Sequence, residues 1–339
     1  MISYKNFALL LTIYYDIAYI NWSMIHLAKL SVLVLESKLT DNGDNMSNIG
    51  IIGMGIMGST VAQKLIESQK KVIAFDTYAP SIERAQSLGS QIASSIPEVA
   101  NQADVVFMFL PGPTEVKQCV SGEAGLLTSS RDNLIIIDFS TVDPQTSISM
   151  AKISMAKGVG YLDSPVLGRP ATVGNWALPV GGDKAVLEKC KNLLKLFAAH
   201  VIHIGENGSG NKVKLLNQMM FGAINAMTAE MMAVSSEVGI PPQILYETIM
   251  ASQAATVSNL FRELGGRIAV ENYENPTFTI DLLAKDVKLA IAMAKENKTP
   301  PVLGRTVELI NEISQSQGLG DKDTSIMWKV YEGIWNGNS

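Results

Sequence analysis

The sequence predicts an α/β fold, an N-terminal doubly wound parallel sheet followed by an all-helical C-terminal domain. Three observations carry this. Short apolar runs alternate with stretches of helical spacing through the first part of the chain. A glycine-rich turn joins the first run to a helix. The strand signal then disappears after about residue 205, and only helical patterns follow.

Residues 1–45 stand apart. "FALLLTIYYDIAYINWSMIHLAKLSVLVLE" is apolar but broken by Asp16, Asn21, His26 and Lys29. A spanning helix needs about 20 predominantly apolar residues. The stretch lacks the arginines of a transit peptide, and no clear small-residue cleavage site follows it. The polar break "TDNGDN" then leads to Met46. Two readings stay open, an extension outside the fold and a targeting segment or membrane anchor.

"SNIGIIGMGIMGSTVAQKLIESQKKVIAFDTY" is the most informative stretch. Ile49 to Ile52 reads as a strand buried on both faces. Gly53, Gly55 and Gly58 form G-x-G-x-x-G, "STVAQKLIESQ" has helical spacing, and "KVIAFD" is a second buried strand. This is the context of a Rossmann-type dinucleotide fold. Gly53 allows the tight turn, Gly55 admits the pyrophosphate, and Gly58 lets helix and strand pack closely. Phosphates would meet the free N–H groups at the helix start. Gly53, Met54, Gly55, Ile56, Met57 and Gly58 are therefore expected to line the cofactor. Asp76 ends the second strand, 18 residues after Gly58, where a carboxylate accepts hydrogen bonds from the adenosine ribose. A 2′-phosphate would meet that carboxylate with no adjacent arginine to offset it. NAD is thus the expected cofactor and NADP the disfavoured one; a solvated turn aspartate is the alternative.

The pattern continues through "ADVVFMFLPGP", "NLIIIDFSTVDP", "GYLDSPV" and "WALPVGGD", with helix-like spacing in "PTEVKQCVSGEAGLL". Ligands on such sheets sit beyond the carboxyl ends of the strands. Leu110, Pro111 and Thr141 fall there and are expected to wall the nicotinamide pocket. From Lys212 to Gly239 runs a long helical pattern rich in Met, Ala and Leu; Met219, Met220, Met227, Met231 and Met232 read as packing residues. "PQILYETIMASQAATVSNLF", "TIDLLAKDVKLAIAMAKEN" and "VLGRTVELINEISQSQG" follow, separated by prolines.

Composition bounds the function. The 339 residues are 47% hydrophobic and 17% charged, as in an ordinary globular protein. The net charge of −5 and the lack of a dense Lys/Arg run argue against nucleic acid as a partner. Cys119 and Cys190, isolated from each other, fit a reducing, cytoplasmic compartment, with residues 1–45 leaving targeting open. His26, His200 and His203 are too few and scattered to suggest a metal.

Four segments in order resemble the β-hydroxyacid dehydrogenase family, which includes 3-hydroxyisobutyrate dehydrogenase and tartronate semialdehyde reductase and is related to 6-phosphogluconate dehydrogenase. "GIIGMGIMGSTVAQKL" resembles the cofactor loop, and "DSPVLGRPATVGNWALPVGGD" the substrate-binding segment. "GSGNKVKLLNQ" resembles the start of the catalytic helix, and "KDVKLA" the late Lys-Asp cofactor motif. The resemblance covers the chain from about Met46 to the end. It implies an NAD-dependent oxidoreductase interconverting a small β-hydroxy acid and its semialdehyde. The family pattern G-x-G-x-x-x-K, counted from Gly208 and Gly210, implies that Lys214 is the acid–base residue. Lys212 points to another face, because residues i and i+2 on a helix diverge. Asn217 and Gln218 are expected on the face of Lys214, orienting the substrate hydroxyl. Lys285 is implied to close over the nicotinamide end of the cofactor, and Lys288 to point to solvent.

Leu167, Gly168 and Arg169 stand where the family has Ser-Gly-Gly. Leu167 cannot replace a hydroxyl donor. Arg169 could grip a carboxylate or sulfonate, and the Gly-Arg pair resembles the sulfolactaldehyde-reducing branch. Facing solvent or packing on Trp176 is the alternative for Arg169. Two other functions stay in view, an imine reductase and a non-catalytic NAD(P)-binding module; Lys214 counts against both. The apolar helix after Lys214 implies a homodimer or homotetramer. The expected division is an extension at 1–45, a dinucleotide-binding domain at 46–207 and a helical substrate and dimerisation domain at 208–339.

Overall fold

A computed structural model describes residues 46–129, 131, 133–252, 258–273 and 275–335. The expected extension at 1–45 lies outside the described residues.

The first part is an eight-stranded sheet, β1 (Asn48–Ile52), β2 (Lys71–Phe75), β3 (Gln91–Ile92), β4 (Val105–Met108), β5 (Ile135–Asp138), β6 (Gly160–Asp163), β7 (Trp176–Gly182) and β8 (Ala198–Gly205). Their spatial order is β3-β2-β1-β4-β5-β6-β7-β8. All neighbours run parallel except β6 and β7. The helices between them are α1 (Ile56–Glu67), α2 (Ala79–Ser87), α3 (Ile96–Gln102), α4 (Pro113–Ser121), α5 (Pro144–Met155) and α6 (Lys184–Leu194). The central strands are apolar on both faces because helices cover both. Ile49, Ile51, Val105, Val106, Phe107, Ile136 and Ile137 are all fully buried.

β1 pairs with β2 on one side and with β4 on the other. The chain therefore leaves β1 toward one half of the sheet and returns to β4 in the other half. This reversal opens a crevice beyond the carboxyl ends of β1 and β4, the usual ligand position on such sheets. Side-chain caps start the helices that flank it. Asp143 accepts from Thr146 N–H at the start of α5, and Asp183 from Ala185 and Val186 N–H at the start of α6.

The second part is helical: α7 (Ser209–Glu237), α8 (Pro242–Ala251), α9 (Asn259–Ala269), α10 (Ile280–Glu296), α11 (Val302–Ser316) and α12 (Trp328–Trp335). Ala229, Met232, Leu283, Val287, Ile291, Val307 and Trp328 share its core. A side chain at Gly222 would come within 2.8 Å of Val307 and 3.2 Å of Val287, so this glycine sets how closely α10 and α11 approach α7.

Several expectations need correction. β3 and β8 were not among the expected strands. β3 has only two residues, and β8 lacks a strict apolar alternation because most of it is exposed. "PQILYETIMASQAATVSNLF" contributes to two helices, α8 and the start of α9. Of the methionines read as packing, Met232 is fully buried, but Met220 and Met227 are 63% and 62% exposed. With Leu216 and Val234 they form an apolar stripe at i, i+4, i+11 and i+18 along α7.

Candidate active site

Gly53 has φ +93°, and a side chain there would lie 2.2 Å from the Phe109 carbonyl oxygen. A side chain at Gly58 would lie 2.0 Å from the carbonyl oxygen of Gly53. These two glycines are required by the tight turn and by the packing of α1 on it. Gly55 differs, because a side chain there would meet nothing within 4 Å. It caps α1 with no side-chain acceptor on the first-turn N–H groups. Open space over an uncapped helix start fits a pyrophosphate. Ile56 is exposed and Met57 half-buried at its rim. The Met54 side chain is fully buried beneath the turn, so only its peptide groups face this region.

Those peptide groups are both held. Met54 N–H donates to Asp76 Oδ2 at 2.6 Å, while Tyr78 N–H donates to Asp76 Oδ1 at 2.8 Å. Arg84 Nη1 donates to the Met54 carbonyl at 3.4 Å. Among the described residues Arg84 forms no ion pair with Asp76, but it holds the other peptide group of the residue that Asp76 holds. Arg84 is distant in sequence, but α2 turns it back over the glycine loop.

Beyond β4 and β5, the expected nicotinamide residues converge. Leu110 N–H donates to Ser140 Oγ at 2.9 Å. Lys285, on α10, donates from Nζ to the carbonyl of Pro111 at 2.9 Å and to that of Thr141 at 3.0 Å. The same ammonium pairs with Asp286 Oδ1 at 2.9 Å. One lysine of the helical part thus spans both loops at the carboxyl edge of the sheet. Lys288 instead pairs with Glu312 at the surface.

The lysine pair separates as its helical spacing requires. Lys212 is exposed. Lys214 Nζ donates to the Val166 carbonyl at 2.9 Å. Burial lowers the pKa of Lys214; Asp286 acts in the opposite direction, and Lys285 and Arg169 lower it further. One turn on, Gln218 Nε2 donates to Asp286 Oδ2 at 2.6 Å, and Asn217 Nδ2 donates to Gln218 Oε1 at 3.2 Å. Gln218 is buried, whereas Asn217 is exposed.

α7 starts where it does because of Asp163. This buried carboxylate accepts from Gly208 N–H at 2.6 Å and from Asn211 N–H at 3.0 Å. It caps from another element a helix whose own cap residue, Gly208 at φ +90°, carries no side chain. Gly210 is equally constrained, since a side chain there would lie 2.5 Å from the Asp163 carbonyl oxygen. Asn211 ties the same turn to the sheet: its Oδ1 accepts from Val142 N–H at 3.1 Å, and its Nδ2 donates to Ser147 Oγ at 3.1 Å.

In the substrate segment, Leu167 exchanges both backbone hydrogen bonds with Ala177. A side chain at Gly168 would enter the Trp176 ring at 2.1 Å. Trp176 Nε1 donates to the Arg169 carbonyl at 2.7 Å. The Arg169 guanidinium takes neither of the two alternatives considered from sequence. It pairs with Glu263 on α9, donates to Thr277 Oγ1 at 3.2 Å, and lies 5.8 Å from the centre of the Phe221 ring. Phe221 stands seven residues after Lys214, on the same face of α7.

Two family models divide the described chain. The NAD binding domain of 6-phosphogluconate dehydrogenase matches residues 48–205. The NAD-binding domain of NADP-dependent 3-hydroxyisobutyrate dehydrogenase matches residues 208–331. A 2-(hydroxymethyl)glutarate dehydrogenase of Eubacterium barkeri is 30% identical over 84% of this chain and 94% of its own length. The chain belongs to the β-hydroxyacid dehydrogenase family. A mitochondrial 3-hydroxyisobutyrate dehydrogenase of Rattus norvegicus is 31% identical over 83% of this chain and 86% of that protein. A crystal structure of 3-hydroxyisobutyrate dehydrogenase from Salmonella typhimurium has the same fold, with TM-score 0.78 at 24% identity over 84% of this chain and 99% of that one.

As a β-hydroxyacid dehydrogenase, the protein is an NAD(P)-dependent oxidoreductase acting on a CH–OH group of a small substrate. Sequence reasoning did not single out Arg84, Asp163, Asn211, Glu263 or Thr277 in this dehydrogenase. Asp163 carried a usable signal, because it opens the "DSPV" segment that resembles the family. Glu263 and Thr277 carried none, since they meet Arg169 only across 94 and 108 residues. Among the described residues, no group of three or more His, Cys, Asp or Glu could hold a metal ion. No helix among them is long and apolar enough to cross a membrane.

Proposed function

We propose that this β-hydroxyacid dehydrogenase interconverts a small anionic β-hydroxy acid and its semialdehyde, with Lys214 as acid and base and NAD as the preferred cofactor. The carrying observation is the enclosed Lys214 amine, with lowered pKa, one helical turn from the Gln218–Asp286 pair. Bound NAD supplies the hydride acceptor for oxidation, and its reduced form the donor for reduction. Neutral Lys214 takes the hydroxyl proton during oxidation, and its ammonium returns it during reduction. Burial favours the neutral amine over the ammonium. Asn217 and Gln218 orient the hydroxyl. Lys285 fastens the Pro111 and Thr141 loops beside the nicotinamide end.

Arg169 is the proposed anion clamp, with Gly168 leaving room for Trp176 beneath it. Leu167 offers no side-chain donor. A 3-hydroxyisobutyrate-like acid is the leading substrate class. A guanidinium where the family has its second glycine, with Leu167 in place of the serine, favours a second reading, in which the acid carries an additional anionic group. The Eubacterium barkeri relative, whose named substrate is a dicarboxylate, supports it, and a sulfolactaldehyde-type sulfonate has the same character. NAD-coupled turnover against a panel of mono-anionic hydroxy acids, dicarboxylates and a sulfonate tests both readings. Activity on none of them would refute the proposal.

The division at 207/208 and a homodimer or homotetramer formed through the α7 stripe belong to the same reading. So does a cytoplasmic location, supported by buried, unpaired Cys119 and Cys190. Residues 1–45 are proposed to be dispensable. A chain beginning at Met46 that failed to bind NADH would refute that.

A further inference from the structure

We propose that Arg84 is a cofactor-specificity residue that lets the adenosine site accept a ribose 2′-phosphate, so that the protein binds NADP(H) as well as NAD(H). This rests on the placement of the adenosine ribose beside Asp76. It departs from the usual argument that an aspartate at the end of the second strand excludes the phosphate by repulsion.

The first observation concerns what Asp76 is already doing. Both of its oxygens are engaged by the backbone, Oδ2 by Met54 N–H and Oδ1 by Tyr78 N–H. The carboxylate braces the glycine turn against the end of β2. Each oxygen keeps one lone pair for a ribose hydroxyl, but its negative charge is partly spent on two backbone donors.

The second observation is a guanidinium on the other peptide group of Met54. Arg84 lies in the last turn of α2 and reaches back 30 residues to the Met54 carbonyl. Asp76 and Arg84 thus hold the N–H and the C=O of one residue. A guanidinium has five N–H donors in a planar fork. Among the described residues one of Arg84's is committed, at 3.4 Å, and the side chain is exposed. Its remaining donors have no hydrogen-bond partner among the described residues. The guanidinium thus places a positive charge on the same turn that the Asp76 carboxylate braces. A 2′-phosphate entering there exchanges water for a charge-assisted, bidentate contact. NAD(H) makes no such contact, so removing Arg84 should act on one cofactor only.

The test is direct binding, read from the fluorescence of NADH and NADPH titrated with protein, without turnover. In the unaltered protein the two dissociation constants should lie within about tenfold of each other. Arg84→Ala should weaken NADPH about tenfold or more and change NADH by less than about threefold. NADH binding by the same variant shows that the fold is intact. Arg84→Lys should fall between, because a lysine keeps the charge and loses the fork. Equal weakening of both cofactors would overturn the proposal and move Arg84 to the shared part of the cofactor. Unchanged binding of both, or no measurable NADPH binding by the unaltered protein, would overturn it as well. An unaltered protein that bound NADPH tighter than NADH would instead refute the NAD preference and leave Arg84's role standing.

Discussion

The Lys214 amine donates to the Val166 carbonyl across 2.9 Å. Val166 lies three residues past Asp163, whose carboxylate receives the Gly208 and Asn211 N–H groups. One short segment after β6 therefore holds both the start of α7 and the tip of the lysine that α7 carries. Its far end, Arg169, pairs with Glu263 on α9. The proposed acid–base lysine and the proposed anion clamp are thus held by the same seven residues, 163–169.

Lys214→Ala should lower kcat by about 10²–10⁴, the range for losing a general acid–base group. NADH binding, measured by fluorescence, should survive because the phosphates are held at the first glycine turn. Lys212→Ala should be nearly silent. A dead Lys212 variant beside an active Lys214 variant would show that the register of α7 has been misassigned.

With Lys214 as the proposed base, the neutral amine is the active form in the oxidative direction, so kcat/KM should rise with pH and level off above the pKa of Lys214. Burial sets that pKa below the ordinary lysine range, and Asp286 opposes the lowering. Asp286→Asn should therefore move the inflection to lower pH. Movement to higher pH in the pH–rate profile would contradict the electrostatic assignment.

Arg169→Ala should mainly raise KM, by about tenfold to a hundredfold, as expected for a charge-assisted contact of about 1.5–3 kcal/mol. Glu263→Gln separates the partner from the clamp. Glu263 holds the guanidinium proposed to bind the substrate anion, so its neutralisation should lower KM for anionic substrates. Steady-state kinetics in which both variants were silent would return Arg169 to a structural ion pair.

Burial in the sheet pushes the Asp138 carboxyl up to about 6, against bonds from Ser140 and Tyr161. The folded state thus holds this proton to higher pH than the unfolded chain, whose group has the ordinary value of 3.8. The stabilisation is present at about pH 4 and is lost as pH rises through 6, a change of about 3 kcal/mol. Urea unfolding between pH 4 and 7 should show it, and Asp138→Asn should flatten the profile. An unchanged profile in the variant would rule this origin out.

Light scattering should report a dimer or a larger even assembly at micromolar concentration. Met220→Glu combined with Met227→Glu should dissociate it, because both side chains lie on the exposed stripe of α7. An assembly that survived both changes would place the interface elsewhere.

Features set by neighbours in sequence were legible from the sequence. The strand–Gly53–Gly58–helix turn, the separation of Lys212 from Lys214 and the apolar strands follow from local spacing, because backbone sterics and helical periodicity act over a few residues. Contacts between distant segments were not legible. Gln218 finds Asp286 across 68 residues, and Arg169 finds Glu263 across 94. No local pattern marks Asp286 or Glu263 as a partner, since each is an ordinary acidic residue on a helix until packing brings the segments together. Asp76 shows both levels. Its position at the end of β2 was readable from spacing. That it would hold the Met54 N–H while Arg84 holds the Met54 carbonyl was decided by α2 folding back over the glycine turn.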